Sequence, residues 1–186
     1  MKNISKKTRM LCEGAISIAL AYALSLVEIE LWFQGGSISP AMIPLVLFAF
    51  RWGCGWGVLT GLVFGTLKYF IGTGSWALDW VSIVFDYSGA YAAVGLAGLF
   101  KGKANLLPLA ATVGGAARFI IHFISGFTVY AKWMPDEFMG LPMTSPVIYS
   151  ALYNGAYMLP STIVAVLVCG LLIRPLRKWL GGETLK

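Results

Sequence analysis

Charge is scarce in this chain. Of its 186 residues only 12% are Asp, Glu, Lys or Arg, against the ~25% usual in soluble domains, too few to clothe a water-exposed globule. Histidine occurs once and cysteine three times. Cys12, Cys54 and Cys169 are odd in number and widely separated, which implies no disulfide framework. No G-x-x-x-x-G-K-[ST] phosphate loop occurs, so the chain has no means of hydrolysing ATP itself. G-x-S-G is missing too. Ser125 lies three residues from the lone His122 with no evident oxyanion site beside it, which argues against an intramembrane hydrolase. Neither a metal nor a cofactor is expected.

What fills the chain is apolar side chain: 58% of residues are hydrophobic and the mean hydropathy is +0.77. A helix needs ~20 residues to cross the hydrocarbon core, and the apolar runs predict spans over 8–27, 40–55, 57–72, 80–99, 106–130 and 146–173. The expected fold is an all-α integral membrane protein of six transmembrane helices forming one domain over 1–186. Spans 2 and 3 are short and share "RWGCGWG", where Arg51, Gly53, Gly55 and Gly57 favour a tight turn over one long helix. The basic "MKNISKKTRM" resembles the start of a signal peptide. The apolar stretch behind it is too long, and no small-residue cleavage site follows, so it is expected to persist as span 1.

Orientation follows from the excess of Lys and Arg in cytoplasmic loops. With both termini cytoplasmic, Lys2, Lys6, Lys7, Arg9, Arg51, Lys101, Lys103, Arg174, Arg177, Lys178 and Lys186 fall inside, and only Lys132 lies in an outer loop. Lys68 and Arg118 lie within spans, Lys68 near enough to an outer end to snorkel. The net charge of +6 is thus accounted for by topology and by anionic inner-leaflet lipid, with no call for nucleic acid.

Two outer loops carry unusual chemistry. "EIELWFQGGSIS" offers two acids, Trp32 and a glycine pair, and "AKWMPDEFMGLPMTS" mixes aromatic, acidic and proline residues. Both are candidate lids, although interfacial belts of Trp and Tyr have the same composition. Ala15, Ala19 and Ala23 align on one face of span 1, and Gly57, Gly61 and Gly65 on one face of span 3. Such stripes let helices approach closely, but spacing does not say whether the partner is internal or another protein. Pro160 inside span 6 predicts a kink.

Polar groups from three spans converge at one depth. Span 5 contains "ARFIIHFISGFTVY", in which Arg118, His122, Gly126 and Tyr130 recur every four residues and share a helical face. At ~1.5 Å per residue, His122 lies about 12 Å below the outer end and Arg118 about 18 Å below. That face must point inward, because an arginine facing lipid costs roughly 2.5–3.5 kcal/mol. Span 4 brings Asp86 and Tyr87 to about 9 Å, and span 6 brings Asn154 to about 12 Å with Tyr149 above it. Gly126 leaves room beside the backbone. An Arg118–Asp86 or His122–Asp86 pair would serve to tie helices together. A set that also holds a glycine, three tyrosines and an amide suits a binding pocket better, and intramembrane ionisable residues are functional by default. An acid among aromatic faces suits an organic cation, through cation–π attraction of ~0.5–2 kcal/mol. His122 is expected to touch the ligand, and Arg118 to close the pocket floor against carbonyls or an acid.

In "FDYSGAY", "RFIIHFISG" and "YSALYNG", and in length and span pattern over the whole chain, the sequence resembles the thiamine-specific substrate-binding subunits (S-components) of energy-coupling factor transporters. The resemblance implies that Asp86, Tyr87, His122, Gly126, Tyr130, Tyr149 and Asn154 bind thiamine, with Trp32 as a cover. Asp86 stands where the family usually has Glu, and Tyr130 where it often has Trp. The resemblance also implies that Ala15, Ala19 and Ala23 dock a transmembrane coupling subunit. Two ATPase subunits would then supply the energy this chain lacks, rotating it in the membrane to carry the pocket from outside to inside. The rival readings are an S-component for another vitamin or a thiamine precursor, and a stand-alone carrier, for which the chain is short and lacks internal repeats.

Overall fold

The computed structural model describes residues 5–32, 35–72 and 80–181. Lys2 and Lys186, both expected on the cytoplasmic side, lie outside them, as do residues 33 and 34 of the first of the two loops expected to face outward. Helix α1 (Lys6–Ser25) begins at Ser5, whose hydroxyl accepts the Thr8 N–H at 3.2 Å and so satisfies one of the orphan donors of the first turn. Then follow α2 (Met42–Trp52), α3 (Cys54–Ile71), an irregular helical stretch α4 (80–100), α5 (Leu107–Thr128) and α6 (Pro146–Leu180). Among the described residues four stretches, Cys54–Ile71, Ile83–Phe100, Ala104–Thr128 and Pro146–Leu180, are long and apolar enough to cross a membrane. Helix α2 is apolar but only 11 residues long. Helix α6 runs through both Pro160 and Pro175 for 35 residues, seven residues past the expected end of its span.

The all-helical expectation needs amending in the two loops that were expected to face outward. The first forms an antiparallel hairpin, β1 (Ile29–Trp32) with β2 (Gly35–Ile38), in the register Ile29↔Ile38 and Trp32↔Gly35. The alternation in Ile29-Glu30-Leu31 suits a strand exposed on both faces. The second pairs β3 (Glu137–Phe138) with β4 (Leu141–Pro142). Met139 and Gly140 between them have φ of 53° and 76°, the twist that two-residue hairpin turns require.

Glycine decides how the helices meet. Gly53 separates α2 from α3 at φ 98°, a conformation costly for any residue with a Cβ. A Cβ on Gly57 would collide with Ala49. On one continuous helix those residues would stand about 12 Å apart along the axis, so the chain does turn back here. The Gly57, Gly61 and Gly65 stripe packs internally, since side chains there would run into Gly95, the Tyr91 carbonyl and the Tyr87 carbonyl of α4. The alanine stripe behaves oppositely. Ala15, Ala19 and Ala23 are all exposed, beside the exposed Leu11, Ile16 and Leu20, while Gly14 and Ala21 on the opposite side of α1 are buried.

Arg51, expected only as a charge at a cytoplasmic turn, is 1% exposed. Its Nε donates to Glu13 Oε2 at 2.6 Å and its Nη2 to Glu13 Oε1 at 3.2 Å. Nη1 donates to the Trp179 carbonyl, and the guanidinium lies 4.4 Å over the Trp179 ring. Trp52 Nε1 donates to Glu13 Oε2 at 2.8 Å. One ion pair, its arginine buried and its carboxylate half-buried, thereby joins α1, α2 and α6 at the end of the bundle away from the hairpins.

Candidate functional site

The glycine stripe of α3 draws α4 against it, and α4 carries the acid of the site on a distorted turn. Over Ile83–Gly89 the helix widens to π-type geometry, then narrows to a 3-10 helix over Val94–Phe100. Wide turns of this kind recur at functional sites because they re-aim side chains that a regular helix would place elsewhere. Here the wide turn holds Asp86 and Tyr87.

Both line a cavity of about 810 Å³. Helix α5 contributes Arg118, His122 and Gly126, Tyr130 follows it, and α6 contributes Tyr149 and Asn154. Trp32 does not reach the cavity wall. Its ring packs 5.1 Å from both Phe138 and Tyr153, joining the two hairpins above α6.

Asp86 is held at both oxygens. His122 Nδ1 lies 3.1 Å from Oδ1, and Ser125 Oγ donates to Oδ2 at 2.8 Å. A carboxylate only accepts, so Nδ1 carries the proton, and in the neutral ring Nε2 is then an acceptor. Nε2 is buried without a partner among the described residues. The site thus presents an oriented negative charge and, one ring away, an unused lone pair.

The structure revises three expectations. Arg118 was to meet carbonyls or an acid; its guanidinium instead lies 4.2 Å over the face of Tyr91, and its Nε has no partner among the described residues. The negative face of an aromatic ring can hold a buried cation where no carboxylate is in reach. Gly126 was to leave space beside the backbone, but a Cβ there would overlap the Ser150 hydroxyl and stand 3.0 Å from Asn154 Nδ2. Its smallness lets α6 close on α5. Asn154 spends much of its amide on the same junction, donating to the His122 carbonyl at 3.3 Å and the Ser150 carbonyl at 2.9 Å, while Tyr157 donates to its Oδ1 at 2.7 Å.

Other wall residues escaped the sequence reading. Tyr153 and Tyr157 continue from Tyr149 at four-residue steps, so the run of three tyrosines on one face of α6 was legible in "YSALYNGAY". Tyr91 stands four residues beyond Tyr87, and Trp133 lies 5.9 Å from Tyr130. Lys68 does not snorkel; it lines the cavity and donates to Glu28 Oε2 at 2.9 Å. No local pattern announces that pair, which joins residues 40 positions apart. Chemically, the cavity offers an acid, an acceptor imidazole nitrogen and a wall of phenols, which together suit a flat, cationic, hydrogen-bonding solute.

Comparison with known proteins follows the same line. Residues 11–180 match the family described as thiamine transporter protein (Thia_YuaJ). Thiamine transporter ThiT of Bacillus subtilis is 36% identical over 185 residues, covering 91% of this chain and 93% of that protein. ThiT of Lacticaseibacillus paracasei is 28% identical over 184 residues, covering 90% and 88%. A solved structure of ThiT from Listeria monocytogenes superposes with a TM-score of 0.80 at 24% identity, covering 94% of this chain and 98% of that one, which establishes the likeness of fold.

Proposed function

The chain belongs to the thiamine transporter protein family, and from that premise we propose that it is the thiamine-binding membrane subunit of an energy-coupling factor importer. It takes the vitamin from outside into the cavity between α4, α5 and α6. The observation that carries this reading is Asp86, fixed by His122 and Ser125 inside a tyrosine-walled cavity. Thiamine is a permanent cation with two aromatic rings, one bearing an amino group and ring nitrogens. The Asp86 carboxylate balances the positive ring, the tyrosine faces stack on both rings, and His122 Nε2 accepts from the amino group. Tyr87, Tyr130, Tyr149 and Asn154 complete the pocket, Arg118 sits at its floor and Trp32 braces its outer cover.

The chain crosses the bacterial cell membrane six times with both termini cytoplasmic, α1 and α2 supplying the two crossings beyond the four long apolar stretches. The exposed Ala15, Ala19 and Ala23 dock the coupling subunit, whose two ATPase partners drive transport. Support for that face comes from its exposure beside Leu11, Ile16 and Leu20 and from the closeness that small residues allow between helices in lipid. Uptake of radiolabelled thiamine by cells lacking their own thiamine importer tests the reading. Uptake only when the coupling and ATPase subunits are co-expressed is expected. Equal uptake by this chain alone would identify a self-sufficient carrier.

A further inference from the structure

At the outer end of the cavity, Glu28 engages two elements at once. It follows the end of α1, and its Oε2 accepts from Lys68 Nζ on α3 at 2.9 Å and from the Ser37 hydroxyl on β2 at 2.8 Å. All three residues line the cavity. The neighbouring Gly36, at φ 80°, presses on the aromatic wall: a Cβ there would stand 2.9 Å from Tyr157 Cδ1 and 3.2 Å from the Tyr153 hydroxyl. Beyond β2, the Ser39 N–H donates to Ser161 Oγ of α6 at 3.2 Å. The first hairpin is therefore a strap fastened to α6 on one side and, through Glu28, to α3 on the other.

We propose that the Glu28–Lys68 pair is the bolt of this strap, and that it sets how fast the cavity opens rather than how tightly the solute is held. The inference rests on the reading of this cavity as the solute site. Three features of the geometry carry it. First, the fastening is unequal. The Ser39–Ser161 bond is buried and uses a backbone donor, whereas the Glu28 and Lys68 side chains are 23% and 18% exposed, so water can replace each partner as the pair parts. Second, the bolt is a charge pair, so exchanging its two halves keeps their attraction, the Ser37 hydroxyl turning to accept from the ammonium that then stands at position 28. Third, Glu28 couples both of its partners through one oxygen, so releasing Lys68 also loosens Ser37 and, with it, the Gly36 contact on Tyr157. A partly exposed ion pair contributes at most about 1 kcal/mol, which corresponds to roughly a fivefold change in an opening equilibrium.

Two readouts test this, one of which needs no solute. In protein with Cys12, Cys54 and Cys169 replaced, Ser25→Cys places a thiol on the cavity wall, where Ser25 is 6% exposed. Its reaction with a small water-soluble maleimide should be about fivefold faster with Lys68→Met or Glu28→Gln. The double exchange Glu28→Lys with Lys68→Glu should return it near the original rate. In parallel, stopped-flow binding of thiamine should show association and dissociation both accelerated in the single variants, with the dissociation constant shifting much less. Unchanged thiol reactivity in both single variants, or failure of the charge exchange to restore it, overturns the bolt. A fall in affinity with unchanged association would make Glu28 or Lys68 a solute contact and overturn it equally. If thiamine does not bind even to the unaltered protein, the functional reading fails, while the thiol rates still decide whether the strap is bolted as proposed.

Discussion

Replacing Asp86 by Asn removes one negative charge from the cavity with almost no change of shape. The amide oxygen can still accept from His122 Nδ1, now 3.1 Å away, and the amide nitrogen can donate to Ser125 Oγ, now 2.8 Å away, once that hydroxyl turns round. Both contacts survive in neutral form. The cost to the empty protein is then the difference between charged and neutral hydrogen bonds, about 1–2 kcal/mol in all. The cost to the bound state is larger. A cationic ring about 4 Å from a carboxylate gains up to ~4 kcal/mol at an effective dielectric constant of ~20, and mutational values for hydrogen bonds to charged groups are ~1.5–3 kcal/mol. A loss of ~2–4 kcal/mol weakens binding about 30- to 700-fold. Calorimetric titration of purified Asp86→Asn with thiamine, beside a melting curve of the empty protein, reads both quantities. Unaltered affinity in a well-folded variant would remove Asp86 from the site. Asp86→Glu, which keeps the charge, should bind within a few-fold of the original.

Further expectations separate binding from folding and from coupling. His122→Ala should weaken thiamine binding about 10- to 100-fold through loss of a hydrogen bond in a water-poor cavity, with little change in the melting of the empty protein, because Ser125 still holds Asp86. Arg118→Ala should do the reverse, lowering empty-protein stability by about 1–2 kcal/mol through its stacking on Tyr91; full binding by His122→Ala with lost binding by Arg118→Ala at unaltered stability would reverse those roles. Ala15→Trp with Ala19→Trp should abolish uptake in cells while the isolated protein still binds, and joint failure of both would mean that α1 packs internally through that face. Glu13→Gln, which leaves an oxygen to accept from Arg51 but removes the charge, should destabilise by about 1.5–3 kcal/mol; a melting temperature unchanged from the parent would deny Arg51 its role in joining α1, α2 and α6.

Periodicity made much of this architecture readable. The four-residue recurrence from Arg118 to Tyr130 placed those side chains on one face, and depth arithmetic put Asp86 near His122, which the 3.1 Å contact between them matches. Local chemistry was enough because regular helices convert spacing into position. It was not enough where the backbone departs from regularity: nothing in "IVFDYSG" announces a widened turn, within which the Tyr87 carbonyl lies close against Gly65 of α3. Long-range pairs were illegible for a similar reason. Lys68 read as a snorkelling residue and Arg51 as a cytoplasmic charge at a tight turn because their partners, Glu28 and Glu13, lie 40 and 38 positions away. Gly126 and Asn154 were found as residues of the site, but their part in packing α5 against α6 depends on Ser150, which no spacing rule singles out.

Whether this cavity takes thiamine is decided most directly by fluorescence. The chain has seven tryptophans, of which Trp133 lines the cavity and Trp32 braces its cover, so intrinsic fluorescence of the purified protein is a sensitive report of occupancy. Titration with thiamine should quench it saturably with one solute bound per chain, and Asp86→Asn should shift the curve to higher concentration, while unrelated vitamins leave the signal flat. Saturable quenching by another vitamin and none by thiamine would contradict the assignment of the solute, and saturable quenching by thiamine that is identical in the Asp86→Asn protein would contradict the assignment of the site.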